Sequence, residues 1–172
     1  MMLAHCTLDG CTGHEAGRAL LARLYREATG EPLPPIAVTE RGKPYFPGKD
    51  WHFSISHTKK HAFCVLSREN VAIDAEEADR KINLKLADRI LSPGEMAQFR
   101  KTEDPQTALL TFWVLKECAA KLSGEGLRGF PNGTDFSLED PRVQRMAGCL
   151  VAIMTESQAS PMGEPERRTY VI

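Results

Sequence analysis

Three acidic residues in this chain have the types and spacing needed for metal-dependent chemistry. Asp74 and Glu76 lie two residues apart in an extended apolar run, so both side chains point to the same face of a strand. Glu117 follows Trp113 in a strongly apolar stretch, where an unpaired carboxylate is costly. Carboxylate oxygens bind Mg²⁺ and also accept Mn²⁺. The pattern therefore allows a divalent metal site, although a solvated strand end and a Glu117–Lys121 ion pair explain it as well.

Basic residues on turns and on the helix predicted around Glu117 could hold an anionic ligand. The formal net charge of the 172-residue chain is −1, so an anion must be held by a local cluster. Ser56 and His57 end a predicted strand, where a loop can present amides, a hydroxyl and an imidazole to phosphate. Solvated surface residues are the alternative interpretation of these positions. The candidate cations are Arg41, Lys43, His57, Lys59, Lys60, Lys116 and Lys121.

Helix-start and helix-stop signals define the elements that must position these side chains. Thr12–Glu15 forms a capping box, and the helix that it opens ends at Gly30. Ser92–Glu95 forms a second capping box, with proline at the first helical position. Asp104, followed by proline, opens the strongest helix, which ends at Gly124 and carries the third acid.

Short apolar runs around these helices predict strands. The runs over 62–66 and 71–75 are separated by a short polar stretch, which predicts a hairpin with a longer turn. Helices grouped between antiparallel strands are typical of the α+β class. Further strands are predicted over 2–8, 36–38, 53–56, 148–154 and 169–172, with a short helix over 84–91 and a loop over 159–165.

Composition narrows the class of protein. A hydrophobic fraction of 42% and a charged fraction of 26% are those of an ordinary globular protein, and the near-zero net charge argues against a nucleic-acid or anionic-membrane partner. The five cysteines are scattered and odd in number, which favours reduced thiols in the cytosol. The first residues lack the pattern of a signal peptide, and no run is apolar and long enough to cross a bilayer. We therefore expect a cytoplasmic protein.

Four segments in order resemble the 4′-phosphopantetheinyl transferase superfamily, in particular its surfactin-synthetase-activating type. A first-helix match at 17–21 adds to them, and the resemblance extends from about residue 12 to 137. Each motif alone is weak, whereas four in the same order are specific. The segments are Arg41-Gly42-Lys43-Pro44, Phe53-Ser54-Ile55-Ser56-His57-Thr58, Ile73-Asp74-Ala75-Glu76 and Phe112-Trp113-Val114-Leu115-Lys116-Glu117, the last followed by Lys121 and Gly124-Glu125-Gly126-Leu127.

The resemblance implies a fold, an activity and a metal site. The fold would be two similar α+β halves, here 1–70 and 71–172, with the active site between them and the first half shortened. Asp74, Glu76 and Glu117 would hold Mg²⁺, or Mn²⁺ in its place. The enzyme would transfer the phosphopantetheine group of coenzyme A to a serine of an acyl, peptidyl or aryl carrier protein and release 3′,5′-adenosine bisphosphate.

The resemblance also implies roles for individual residues. Glu117 would be the general base, and Lys121 would stabilise the leaving phosphate. Lys116 would position the pyrophosphate, and Trp113 would anchor the helix in the core. Arg41, Lys43, Ser56 and His57 would contact coenzyme A, the last three through the phosphates of its 3′-phosphoadenosine end.

Departures from the family pattern leave two other functions open. Ala72 stands where relatives usually carry glycine, and Gly13 and His14 stand where an arginine is expected, with Arg18 as a candidate replacement. A degenerate module could bind coenzyme A or a carrier protein without turnover, and a magnesium phosphohydrolase could use the same acids. The two halves favour a monomer, whereas the shortened first half leaves a surface that could dimerise.

Overall fold

The computed structural model describes residues 1–124 and 135–157 with their side chains, and the backbone of residues 166–169. Helices and strands are mixed, which confirms the predicted α+β class. The strands are β1 (Met2–Thr7), β2 (Ala37–Val38), β3 (Pro44–Tyr45), β4 (His52–His57), β5 (His61–Ser67), β6 (Val71–Glu77), β7 (Val143–Met146), β8 (Cys149–Thr155) and β9 (Glu166–Thr169). The α-helices are α1 (Gly13–Thr29), α2 (Ala87–Ile90), α3 (Pro93–Phe99) and α4 (Pro105–Ser123), and a 3₁₀ turn spans Leu84–Leu86.

The helix boundaries follow the local signals in the sequence. Thr12 caps α1 in a reciprocal box with Glu15, and α1 ends at Gly30 in the left-handed region, with φ of 76°. A second reciprocal box opens α3. On α4, Asp104 accepts the first capping bond and Gly124, with φ of 73°, ends the helix. The predicted helix over 84–91 is instead the 3₁₀ turn followed by the single turn of α2.

Within the described residues, a four-stranded and a three-stranded sheet with helices on their outer faces form four layers, and β2 and β3 form a separate two-stranded sheet. The first sheet has the order β4-β5-β1-β9, and the second has the order β6-β8-β7. Apolar residues of α1 pack on the outer face of the first sheet, and those of α4 pack on the outer face of the second. Between the sheets, Phe63 and Val65 of β5 pack with Ile73 of β6 and Val151 of β8. The cleft-forming elements therefore rest on three separate apolar clusters.

The predicted hairpin between 62–66 and 71–75 is wrong, because β5 and β6 lie in different sheets. β5 pairs with β1 along one edge and with β4 along the other, each over six residues. Both edges of β5 are thereby occupied, so β6 pairs with β8 instead. The turn between β5 and β6 carries the chain from one sheet to the other.

Serine hydroxyls join the edges of the two sheets. The backbone N–H of Ile73 donates to Ser54 Oγ at 3.1 Å, and that of Ala75 donates to Ser56 Oγ at 3.1 Å. These side chains satisfy amides of β6 that would otherwise lack partners at a sheet edge. The seam fixes β6, which carries two of the candidate acids, beside the end of β4.

The carboxyl-terminal part of the chain returns to the first sheet. β9 pairs in parallel with β1, with Met2 opposite Glu166. The division of the chain into halves at residue 70 remains a prediction. If the chain is divided there, β9 belongs to the second half but lies in the first sheet. Of the predicted strand over 169–172, residues 170–172 lie outside the described residues, as does the predicted loop over 159–165.

All five cysteines are free thiols. No helix in the described part of the chain has the length and apolarity that spanning a membrane requires.

Candidate active site

Two adjoining cavities lie between the end of β4, β6 and one face of α4. The first, here called the acidic cavity, has a volume of about 320 Å³. The second, here called the basic cavity, also measures about 320 Å³. Ile55, Glu117 and Lys121 line both cavities, so the two form one cleft. The acidic cavity is lined by six predicted site residues, namely Ser56, His57, Asp74, Glu76, Glu117 and Lys121.

Asp74 is the most tightly held of the three acids. Its side chain is 9% exposed, and its Oδ1 accepts hydrogen bonds from Lys121 Nζ at 2.7 Å and from Ser56 Oγ at 3.1 Å. Lys121 Nζ also donates to the carbonyl of Ile73 at 3.2 Å. Ser56 therefore orients Asp74 through its hydroxyl, a contact that sequence reasoning did not assign to it.

Glu76 is held by residues that the sequence analysis did not place in the site. Arg80 lies in the turn after β6, four residues after Glu76, and forms an ion pair with it. The side chain of Trp113 lies beside Glu76 and opposes the rise in the pKa of its carboxyl. Both residues line the acidic cavity. Trp113 was predicted only as a core anchor. The ion pair had no local signal in the sequence, because Glu76 lies in β6 and Arg80 in the turn that follows it.

The charges of the three acids disfavour one another. Burial raises the pKa of Glu117, the charges of Asp74 and Glu76 raise it further, and Lys121 opposes the change. Burial likewise raises the pKa of Glu76, with a further contribution from Asp74. The pKa of Asp74 is raised by burial in spite of Lys121 and Ser56. A cation entering the acidic cavity would relieve this repulsion.

The donor atoms of the acidic cavity suit a hard divalent cation, since Asp74, Glu76 and Glu117 all offer carboxylate oxygens. As they stand, however, no three acidic, histidine or cysteine side chains within residues 1–124 and 135–157 form a group that could hold a metal ion. Lys121 and Arg80 instead contact Asp74 and Glu76. The chemistry of the residues fits a metal, while their present arrangement is that of ion pairs.

The basic cavity contains two of the residues predicted to contact coenzyme A, whereas Ser56 and His57 line the acidic cavity. Arg41 and Lys43 line the basic cavity together with Lys121, and Phe53 and Ile55 provide apolar surface. Arg41 and Lys43 also line a neighbouring cavity of about 350 Å³. Lys43 Nζ donates to the carbonyl of Leu122 at 2.7 Å, so part of its hydrogen-bonding capacity is used within the protein.

Lys116 lies away from both cavities. Its ammonium pairs with Glu95 of α3 at 2.8 Å, and the two side chains are 1% and 0% exposed. Its position gives no support to the predicted contact with pyrophosphate. Lys59 and Lys60 lie on the exposed turn after β4, where Lys60 pairs with Glu77 at 3.5 Å.

Two glycines allow α1 to approach the end of β4. A Cβ built on Gly17 would lie 2.5 Å from Ile55 Cγ2, and one built on Gly13 would lie 2.4 Å from His57 Cγ. Neither contact is sterically acceptable, so the absence of side chains lets α1 pack against Ile55 and His57. The glycine that stands where the family pattern has an arginine thus leaves room for the His57 ring.

The fold and the cleft define an α+β protein in which basic side chains and a group of carboxylates line one cleft. The family comparison agrees with this class. The chain belongs to the 4′-phosphopantetheinyl transferase superfamily, whose family model matches residues 70–161, more than half of the chain. A search among curated proteins gave no match.

Family membership confirms the resemblance at the level of the superfamily, while the surfactin type remains a prediction. It supports phosphopantetheine transfer as the general activity, with coenzyme A as substrate and a carrier protein as partner. The matched segment contains Asp74, Glu76, Glu117 and Lys121, whereas the Arg41–Lys43 turn lies before it.

Proposed function

We propose that this chain is a magnesium-dependent enzyme of the surfactin-synthetase-activating type. It transfers 4′-phosphopantetheine from coenzyme A to a serine of an acyl, peptidyl or aryl carrier protein and releases 3′,5′-adenosine bisphosphate. The observation that carries the proposal is the convergence of Asp74, Glu76, Glu117 and Lys121 on one cavity, within the segment that matches the family. We propose further that the protein acts as a monomer and that it acts in the cytosol, for which its free thiols offer support.

The basic cavity would bind the nucleotide end of coenzyme A. Arg41 and Lys121 bring positive charge to its lining, and Phe53 and Ile55 offer an apolar wall for the base. A ligand spanning both cavities would place its pyrophosphate near their shared residues, Glu117 and Lys121. His57, at the rim of the acidic cavity, is placed to donate to phosphate oxygens.

Glu117 would remove the proton from the attacking serine. Its half-buried carboxylate lines both cavities, and its raised pKa makes it a better proton acceptor than an ordinary glutamate. The new bond joins the serine oxygen to the β-phosphorus, and the bond from that phosphorus to the bridging oxygen breaks. Lys121 would stabilise the negative charge that develops on the departing phosphate.

Asp74, Glu76 and Glu117 would hold the metal ion. When bound, Mg²⁺ would neutralise charge on the pyrophosphate oxygens. Lys121 and Arg80 would then exchange their carboxylate partners for phosphate oxygens, since their ammonium and guanidinium groups lie at the same cavity. The all-oxygen donor set accepts Mn²⁺ as well.

One observation favours a second candidate, a module that binds coenzyme A or a carrier protein without turnover. Two of the lysines expected at the ligand make protein contacts instead, Lys116 with Glu95 and Lys43 with Leu122 and Asn70. The full set of acids with Lys121 favours the enzyme, since a pure binder has no need of a positioned base.

The test is the intact mass of an apo carrier protein after incubation with this protein, coenzyme A and Mg²⁺. We expect a gain of one phosphopantetheine group, its loss in EDTA, and its loss in Glu117→Gln. Glu103→Gln, the same chemical change at an exposed site, should transfer normally. Coenzyme A binding without a mass gain on any carrier class would favour the binding module. Nucleotide release without a carrier would favour the phosphohydrolase.

A further inference from the structure

A single asparagine in the turn between β5 and β6 connects three other segments of the chain. Asn70 Oδ1 accepts a hydrogen bond from Lys43 Nζ at 2.6 Å. Its amide nitrogen donates to the carbonyl of Leu122 at 3.1 Å and to the carboxylate of Glu156 at 2.7 Å. The loop before β3, the end of α4 and the segment after β8 thus meet at one side chain.

Lys43, Asn70 and the carbonyl of Leu122 form a closed triangle of hydrogen bonds. Lys43 Nζ donates to the carbonyl of Leu122 as well as to Asn70, and Asn70 donates to that same carbonyl. The carbonyls of a final helical turn lack intrahelical partners, and cations are favourable there. We call the set of Lys43, Asn70 and Leu122 the latch.

The latch lies behind the wall of the basic cavity. Lys43 and Gly124 line that cavity, whereas Asn70 does not. A Cβ on Gly124 would lie only 3.3 Å from Lys43 Cδ, so the lysine stem packs closely on the end of α4. Burial lowers the pKa of Lys43, and the charge of Glu156 opposes that change.

We propose that Asn70 is a positioning residue that holds Lys43 against the end of α4 and so fixes the wall of the basic cavity formed by the 41–43 turn and the last turn of α4. Asn70 acts through Lys43 without touching the ligand. That the ligand is the nucleotide end of coenzyme A rests on the proposed function; the latch itself rests on the hydrogen bonds alone.

The first measurement needs no ligand. Trace acetylation followed by mass spectrometry compares the labelling rate of Lys43 with that of Lys60, an exposed lysine on another turn. Asn70→Ala should raise the relative labelling of Lys43 at least about threefold. Asn83→Ala, which removes an exposed asparagine with only a local bond to Lys85, should leave it unchanged. Equal labelling of Lys43 in the wild type and Asn70→Ala would overturn the latch.

The second measurement is the Kd of coenzyme A by titration calorimetry. Asn70→Ala should weaken binding about tenfold, because Lys43 would no longer be held in place before the ligand binds. In a Lys43→Ala background, Asn70→Ala should change the Kd less than twofold, because the side chain it positions is gone.

The outcomes separate the latch from the proposed function. A wild type that binds no coenzyme A would remove the proposed function, and the labelling result would still decide on the latch. An Asn70→Ala variant with a lower kcat for carrier modification and an unchanged KM for coenzyme A would overturn the positioning role. Equal losses for Asn70→Ala in both backgrounds would overturn it too, since Asn70 would then act independently of Lys43.

Discussion

Helix α4 holds two lysine–carboxylate pairs of nearly equal length in opposite surroundings. Lys116 meets Glu95 at 2.8 Å with side chains 1% and 0% exposed. Lys121 meets Asp74 at 2.7 Å with side chains 33% and 9% exposed. The first pair is enclosed in the core, and the second lines the cleft.

The partners around each pair differ more than the distances do. Glu95 also accepts from the backbone N–H groups of Ser92 at 2.9 Å and Phe136 at 3.1 Å, so its carboxylate is saturated by donors. Asp74 instead stands near two further carboxylates. Burial raises the pKa of all three acids, and the charge of Asp74 raises the pKa values of Glu76 and Glu117 further. The enclosed pair therefore stabilises the fold. The cleft pair lies among carboxylates whose negative charge could attract a cation.

The largest effect on stability is expected from breaking the enclosed pair. Lys116→Met leaves Glu95 buried without its counter-ion and should lower the free energy of unfolding by about 3–5 kcal/mol. Denaturant titration measures this loss. Transfer activity at a temperature where the variant is folded should be within a few-fold of the wild type, because Lys116 reaches neither cavity. A Lys116→Met variant that is stable but inactive would instead support the predicted contact of Lys116 with the pyrophosphate.

Breaking the cleft pair should have the opposite balance. Lys121→Met is expected to lower kcat for carrier modification about 10²- to 10³-fold, the usual effect of removing a group that stabilises developing charge. The free energy of unfolding should also fall, because Asp74 is only 9% exposed and loses its counter-ion, but by less than in Lys116→Met, because Lys121 itself is 33% exposed. Steady-state kinetics and denaturant titration on one preparation test both parts. A pure rise in KM would contradict the role proposed for Lys121.

The sequence contains part of this contrast. Glu117 and Lys121 are four residues apart and share a helix face, whereas Lys116 lies four residues after Phe112 and seven after Leu109, both buried on α4. Helical spacing could therefore have assigned Lys116 to the core. Its partner could not have been found in this way, because the pairing with Glu95 depends on how α3 packs against α4.

Local signals were reliable where one short segment decides the structure. The capping boxes at Thr12 and Ser92 and the stop at Gly124 are confirmed, since each needs only neighbouring residues. The β5–β6 hairpin failed because competition among strands from distant parts of the chain decides pairing. The latch at Asn70 was equally hidden, since its contacts join segments far apart in sequence.

The hydroxyls of Ser54 and Ser56, here called the hydroxyl seam, join β4 to β6 beside the cleft. Breaking the seam should have a smaller effect on stability than breaking the enclosed pair. Ser56→Ala leaves the buried N–H of Ala75 without its acceptor and frees Asp74 from one donor. We expect a loss of about 1–3 kcal/mol in the free energy of unfolding together with reduced transfer. Ser137→Ala is the matched control, because that exposed serine accepts only a local bond from Glu139. Equal stability of the two variants would remove the seam from the account.

The smallest expected effect is a pH dependence of the free energy of unfolding, which reports on the repulsion among the carboxylates of the cleft. Glu117 has a folded-state pKa raised above its ordinary value of 4.5, so protonated Glu117 favours the fold below that pH. This contribution disappears as the pH rises through the raised folded-state pKa. The wild type should therefore lose stability relative to Glu117→Gln between about pH 4 and neutrality, by less than about 1 kcal/mol because the group is half exposed.

Denaturant titrations of both proteins across that pH range measure the difference, and Glu103→Gln provides the control for the chemical change at an exposed site. Mg²⁺ added at neutral pH should restore the stability of the wild type more than that of Glu117→Gln, since a bound cation replaces the proton in relieving the repulsion. A wild type that gains stability over Glu117→Gln as the pH rises would show that Lys121 and Arg80 already balance the acids. In that case the cleft pair would be as satisfied as the enclosed one, and the contrast along α4 would reduce to solvent exposure.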